Sequence, residues 1–304
     1  MINDTKQRDI SVAIPTLNRG EILLDTIRDV LKQSHKNLEL IVADQTKKPS
    51  ADFISKLSQI RDPRLRYYRT GPASLPAARN FILHHAASKI VLFLDDDVEL
   101  KKDMVKAHLQ AFAEHPEVSA VGGRVMQKDF PVKKDVLTFD EFAISHGVFT
   151  ATEAGYTNAF PGGNHAIRVD DALDAGGYDT RFYGNAFREE SDMSIRLSRR
   201  GKKIYYEPKA ELLHLAAHFG GVESRVKGHI YDNRLFYRNE LFFTIRNVRL
   251  GLLPRALRKK YREYCQVPGK KVRLKRSYYF MEGLCAAFLR QMFGKQIHMK
   301  ELSK

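Results

Sequence analysis

The feature that most restricts the fold is a strict alternation of strand-like and helix-like segments over residues 10–125. Ile10-Ser11-Val12-Ala13-Ile14 is an apolar run of strand length closed by Pro15. Leu23, Ile27, Val30 and Leu31 then recur at spacings of three and four, the mark of a helix with one buried face. Leu38–Ala43 is a second strand, and Ser50–Ile60 reads as a second helix that stops before Pro63. A short strand is expected around Leu65–Tyr68. Pro76 suits the first position of a helix running to Ser88. Ile90–Leu94, Lys102–Glu114 and Val118–Val125 continue the rhythm as strand, helix and strand. The pattern predicts an α/β chain, a doubly wound and mainly parallel sheet with helices on both faces. Ligands of such sheets sit beyond the C-terminal ends of the strands.

Carboxylates stand at those ends. Asp44 follows the second strand, and Asp95-Asp96-Asp97 follows Val91-Leu92-Phe93-Leu94. Three adjacent acids repel one another unless a cation or hydrogen-bond donors offset them. Strand alternation turns Asp95 and Asp97 to one side and Asp96 to the other, so Asp95-x-Asp97 forms a clamp for a divalent metal and a ribose. The bland reading is a solvated loop capping the next helix. Asp44 either accepts a hydrogen bond from a base or ribose or caps a turn. Arg79 and Asn80 fall in the first turn of the helix at Pro76, where an arginine suits phosphate or simply lies on the surface.

Beyond residue 126 the rhythm loosens around Gly162-Gly163-Asn164 and Gly176-Gly177-Tyr178-Asp179. Glu189-Glu190-Ser191-Asp192 opens a helix that ends at Gly201. Glu190, Met193 and Leu197 share a stripe, so Glu190 is expected at the core-facing edge, where burial raises a carboxyl pKa into the range of a general base. Acids also favour helix N-termini for electrostatic reasons, which covers Glu189. Lys203–Tyr206 and Ala210–Leu215 read as two strands. His214 closes the second, so a two-histidine metal site with His218 on one helical face is not expected.

Composition bounds the rest. Two cysteines, Cys265 and Cys285, make no disulfide framework, which fits a reducing cytoplasm. No leader opens the chain, and no run approaches the roughly 20 apolar residues of a spanning helix. A cytoplasmic chain, or one peripheral on the inner face of the plasma membrane, is expected. Of the formal net charge of +15, residues 222–304 carry +14. A nearly neutral body therefore ends in a basic region suited to an anionic partner.

Taken in order, these pieces resemble the inverting nucleotide-sugar transferases of glycosyltransferase family 2, which have the GT-A fold. The matching text is Ser11-Val12-Ala13-Ile14-Pro15-Thr16-Leu17-Asn18-Arg19, Leu40–Thr46, Ala78-Arg79-Asn80, Phe93–Asp97, Gly162–Arg168, Gly176–Asp179, and Glu189–Asp192 through Arg196 to Gly201. The resemblance implies a catalytic domain over residues 1–221, with a nucleotide-binding half to about 125 and an acceptor-binding half to 221. It implies a donor nucleoside-diphosphate sugar, UDP- or dTDP-linked, held by Pro15, Thr16, Asn18, Arg19, Asp44, Arg79, Asp95, Asp96, Gly163, Asn164 and Glu189. It implies Mn2+ or Mg2+ on Asp95, Asp97 and His214, and Glu190 as catalytic base toward a hydroxyl of a glycan or lipid-linked saccharide, in bacterial envelope polysaccharide synthesis.

Residues 222–304 are expected to be helical. Met281, Leu284, Cys285, Phe288 and Met292 recur at helical spacing beside Lys270–Arg276 and Arg290. This stripe suits an anionic membrane surface or packing on the catalytic domain or a second subunit. A different class stays open at this level: basic residues among aromatics also suit nucleic acid, with the acids serving a metal-dependent phosphohydrolase or nuclease.

Overall fold

A computed structural model describes residues 8–128, 130–216 and 230–297. The first half runs β1 (Ile10–Thr16), α1 (Glu21–Leu31), β2 (Leu38–Asp44), α2 (Ala51–Ser58), β3 (Leu65–Arg69), α3 (Leu75–His85), β4 (Ile90–Leu94), β5 (Val98–Leu100), α4 (Met104–Glu114) and β6 (Val118–Met126). Then come β7 (Thr138–Phe139), β8 (Ser145–His146), β9 (Gly155–Thr157), β10 (Asn164–Arg168), α5 (Val169–Asp174), α6 (Glu189–Arg199) and β11 (Lys203–His214). Three long helices follow: α7 (Arg234–Asn247), α8 (Leu253–Cys265) and α9 (Lys270–Phe293). No helix among the described residues is long and apolar enough to cross a membrane.

The main sheet has the order β3-β2-β1-β4-β10-β6-β11-β5, with β9 also paired to β11. β1 to β4 are mutually parallel, and β11 runs parallel to β6. The alternation of residues 10–125 is thus borne out, as is the helical C-terminal region. Leu23, Leu24, Ile27 and Val30 of α1 pack with Met104, Val105 and Phe112 of α4 under one face of the sheet. Ala77, Ala78, Phe81 and Ile82 of α3 pack with Met193 and Leu197 of α6 under the other.

Two expectations need correction. Gly162-Gly163-Asn164 does not punctuate a loose region: it leads into β10, which lies antiparallel between β4 and β6 at the centre of the sheet. Its polar residues hid it. Asn164 and His165 are fully buried because each finds partners: Asn164 with His108 Nε2, Arg124 O and Ala210 O, and His165 with Pro161 O and the Tyr178 hydroxyl. The strands expected at 203–206 and 210–215 are one strand, β11, whose register against β6 slips between Glu207 and Glu211.

The C-terminal helices close a third apolar cluster. Phe236, Leu241, Phe242 and Phe243 of α7, Tyr264 of α8, and Phe280 and Ala287 of α9 meet Phe139, Phe142, Phe182 and Ile195 of the body. A buried charge network crosses the same boundary. Glu240 accepts from Arg188 Nε at 2.7 Å and from Lys260 Nζ, and Lys260 also donates to Ala143 O at 2.8 Å. Burial alone pushes the Glu240 carboxyl up, but the Arg188 and Lys260 charges outweigh it and hold it at about 2.

Candidate active site

The parallel strands β1, β2 and β4 end side by side, with Thr16 in register with Asp44. The β1–α1 turn passes through left-handed backbone at Asn18 (φ 58°) and Gly20 (φ 61°), which asparagine and glycine tolerate. That turn aims Arg19 inward. Its Nε donates to Asp96 Oδ1 at 2.7 Å, and its terminal nitrogen lies 3.1 Å from Asp97 Oδ2. Thr16 Oγ1 donates to Asp96 Oδ2 at 2.6 Å. Thr26 Oγ1 donates to the carbonyls of Asp96 and Val98 and fixes the turn behind them. Asp96 therefore points into the protein, where burial pushes its carboxyl up to about 6 against the opposing pull of Arg19 and Thr16.

Asp95 and Asp97 face the other way, toward His214 at the end of β11. One ligand atom from each of the three fits within 4.8 Å of the others. His214 Nε2 lies 3.2 Å from Asp97 Oδ1 and 3.8 Å from Asp95 Oδ2. Its Nδ1 meets Gln127 Oε1 at 3.0 Å. An amide oxygen only accepts, so Nδ1 is the donor in this contact and Nε2 is the nitrogen turned to the carboxylates. Two carboxylates and one imidazole form a donor set that fits a divalent cation such as Mn2+ or Mg2+. His218 lies outside the described residues.

The glycine pair Gly162-Gly163 is the floor that joins this cluster to Glu190. A Cβ on Gly163 would sit 2.1 Å from Asp95 Oδ2, so only glycine leaves that carboxylate its place. A Cβ on Gly162 would meet Glu190 Cγ at 3.5 Å. Ser191 Oγ donates to Glu190 Oε1 at 2.9 Å. The burial expected for Glu190 falls instead on Glu189. Glu189 is 1% exposed and ion-paired with Arg79 at 2.8 Å, while Glu190 is half-buried. Burial pushes the Glu189 carboxyl up to about 8, Arg79 opposing it. Glu189 lies four residues before Met193, which lies four before Leu197, so it too falls on the buried stripe of α6.

Three further expectations change. Arg79 does not offer its guanidinium to an open helix end. It is 1% exposed, over the rings of Phe93 and Tyr178, and donates to Gly162 O at 2.8 Å. Glu189, tied to it, is structural in the same way. Asn164 is enclosed in the sheet and does not border the cleft.

Pro15, Thr16, Arg19 and the three aspartates line a cleft of about 950 Å3, counting its open mouth. Asn18, Asp44 and Thr46 line a second hollow that shares Thr16 and Arg19 with it. Asp44 accepts from Thr46 N at 2.7 Å and from the Tyr67 hydroxyl at 2.5 Å. Sequence reading missed Gln127, and also Gly184 and Asn185 on the cleft wall. Gln127 is 87 residues from His214, and no local pattern joins them.

The glycosyl transferase family 2 model matches residues 11–172, more than half of the chain. An uncharacterised glycosyltransferase of Rickettsia conorii is 37% identical over 117 residues, 38% of this chain and 18% of that protein. The GalNAc(5)-diNAcBac-PP-undecaprenol beta-1,3-glucosyltransferase of Campylobacter jejuni is 25% identical over 206 residues, 66% of this chain and 62% of that protein. The match thus spans less than two thirds of these relatives' own length. A mannosyltransferase from Pyrobaculum calidifontis, solved with GDP-Man and Mn2+, superposes with a TM-score of 0.59 at 17% identity, covering 96% of this chain and 89% of that one. GalNAc-T7, solved with UDP, GalNAc and Mn2+, superposes at 0.62 and 15% identity, covering 96% of this chain and 59% of that one. The sheet order, the acids closing its parallel strands and the matched segment lead to one conclusion: this chain has the GT-A fold and belongs to glycosyl transferase family 2.

Proposed function

We propose that the chain is a metal-dependent, inverting glycosyltransferase that takes a sugar from a UDP- or dTDP-sugar to a hydroxyl of a glycan or lipid-linked saccharide. The observation that carries this reading is the glycine pair: Gly163 leaves Asp95 its place, and the adjacent Gly162 lies within contact range of Glu190. The base and the metal-ligand cluster thus lie beside neighbouring residues of one turn. Membership of the family leaves the phosphohydrolase or nuclease alternative without support.

In this reading residues 1–125 supply most of the donor site, and the segments after 126 supply Glu190, the glycine floor and the acceptor side. Thr16 and Asp44 lie against the pyrimidine and its ribose. Asp95, Asp97 and His214 hold the cation, with Gln127 fixing the histidine tautomer. A divalent cation bound there supplies charge neutralisation for the departing diphosphate. Arg19 and Asp96 act behind the ligands and set the direction of the Asp97 carboxylate.

Ser191 holds Oε1 of Glu190, and the other carboxylate oxygen takes the acceptor proton. The acceptor oxygen attacks the anomeric carbon from the face opposite the diphosphate. The carbon–oxygen bond to the diphosphate breaks, its electron pair leaves with the diphosphate, and the configuration inverts. The printed names of two relatives include a lipid-linked acceptor, undecaprenol diphosphate in the Campylobacter protein and dolichyl phosphate in a Haloferax volcanii glucuronosyltransferase. These names support a lipid-linked acceptor, and in bacteria a place in envelope polysaccharide synthesis.

The test is a panel of nucleotide-sugars with Mn2+, following released nucleoside diphosphate, with NMR of the product's anomeric configuration. Glu190→Gln is expected to lower transfer by about 10²–10⁴-fold while donor affinity holds. Transfer at the wild-type rate in that variant, or a product of retained configuration, refutes the assignment.

A further inference from the structure

The helix α9 has two faces, and the cleft uses only one of them indirectly. Its inner face, Arg276, Phe280, Gly283 and Ala287, is buried against α7 and α8. The stripe expected from sequence is therefore not the packing stripe. Leu284 is half-buried at its margin, but Met281, Cys285, Phe288 and Met292 look outward.

That outer face is longer than the sequence pattern indicated. Leu274, Tyr278, Met281, Cys285, Phe288 and Met292 follow one another at spacings of four and three, and Leu289 and Phe293 widen the stripe. Met281 is 56% exposed, Leu289 59%, Met292 70% and Phe293 71%. An apolar stripe of this length on a surface helix marks an interaction surface. At 100° per residue, Lys270, Lys271 and Lys275 fall on the same half of the helix, beside its first turns.

We infer that the outer face of α9 docks on an anionic lipid bilayer, with its methionine, leucine and phenylalanine side chains in the interface and its lysine-rich first turns against the headgroups. Charge selects this occupant. Residues 230–297 hold sixteen Lys and Arg against four Asp and Glu. Three of the four acids are spent internally: Glu282 on Arg234 and Arg238, Asp232 on Arg276, and Glu240 on Arg188 and Lys260. Arg255, Arg258, Arg262, Lys270, Lys271, Arg273 and Lys275 stay exposed, and no ion pair is seen for them among the described residues. Each such cation near an anionic bilayer is favourable, and each apolar side chain adds burial.

A second copy of the chain fits less well. In a parallel pair of α9 helices the three lysines would face their own copies. In an antiparallel pair they would meet Met292 and Phe293. Glu282, the single acid of α9, already serves α7. The docking helix is also joined to the cleft wall: Arg290 lies 3.9 Å over the Tyr183 ring, next to Gly184 and Asn185.

The inference does not depend on the transfer reaction, and vesicle binding of the full chain tests it. The chain is expected to co-sediment with phosphatidylglycerol-containing vesicles at least about tenfold better than with pure phosphatidylcholine, and to lose that preference at high salt. The triple variant Met281→Ser, Phe288→Ser, Met292→Ser and the triple variant Lys270→Gln, Lys271→Gln, Lys275→Gln should each weaken binding about tenfold at an unchanged melting temperature. Equal affinity for both vesicles, or binding indifferent to both variants, overturns it. So does light scattering that shows a dimer in the wild type and a monomer in the serine variant, which assigns the face to a second copy.

Discussion

Gly163→Ala is the most direct test of how the site is built. The substitution adds one methyl group and demands no forbidden backbone angle, since Gly163 is not in the left-handed region. The new Cβ would lie 2.1 Å from Asp95 Oδ2 and 2.4 Å from its Cγ, whereas ordinary contact begins at 3.4 Å. The carboxylate must retreat by about 1.3 Å, because Gly163 leads directly into β10, which is held between β4 and β6. Metal–oxygen distances tolerate only about 0.2 Å. Asp95 is half-exposed, so its side chain can swing into solvent at little cost to the fold. The expected outcome is a melting temperature within a few degrees of wild type and a Mn2+ affinity lower by about 10–100-fold, the usual effect of misdirecting a ligand. Isothermal titration with Mn2+ in the presence of UDP measures it, with Asp95→Asn as reference. A Gly163→Ala protein that binds Mn2+ within about threefold of wild type removes Asp95 from the ligand set. A protein that has lost its fold would show in the melting curve and would refute the claim that the side chain alone moves.

Glu240→Gln leaves Arg188 and Lys260 buried without their counter-charge and is expected to cost about 3–5 kcal/mol in urea unfolding at pH 7. Because the Glu240 carboxyl is held at about 2, below its unfolded value of 4.5, its contribution is complete above pH 4.5 and fades as pH falls toward 2. The gap between wild type and variant should therefore narrow in that window, and a gap that widens on acidification contradicts the network. Gly283→Val puts a Cβ 2.9 Å from the Tyr237 backbone and should cost about 1–3 kcal/mol by prising α9 from α7. Met281→Ser, two residues away on the outer face, should change stability by less than about 0.5 kcal/mol in the same unfolding assay.

What the sequence disclosed follows from the range of the forces involved. Strand and helix alternation is a local pattern, and β1 to β4 with their helices stand where the spacing put them. The acids could be located because a strand's end is also local. β10 could not be read, because its buried Asn164 is tolerated only through partners 40, 46 and 56 residues away. The burial of Glu189 rather than Glu190 could not be resolved because the two precede Met193 by four and three residues, so the helical repeat puts both on one stripe. The faces of α9 were confused for a related reason. Apolar spacing identifies a stripe, but on this helix the inner face sets Phe280 among Arg276, Gly283 and Ala287, small or charged residues that a hydrophobic pattern passes over.

The three adjacent carboxylates at the end of β4 now have a physical rationale. A strand end turns alternate side chains to opposite sides, so a run of three acids cannot all face one ligand. Asp95 and the buried Asp97 lie beside His214, where a cation suits them. Asp96 faces inward and is neutralised within the protein, by the Arg19 guanidinium and the Thr16 hydroxyl. The same guanidinium reaches Asp97 at 3.1 Å, so one buried cation spans Asp96 and Asp97 and ties their directions together. Replacing Asp96 by a neutral residue would remove one end of that tie and let Arg19 draw the Asp97 carboxylate toward the interior. The middle acid therefore supports the geometry of its neighbours as well as lining the cleft, which an apolar residue between two acids would not do.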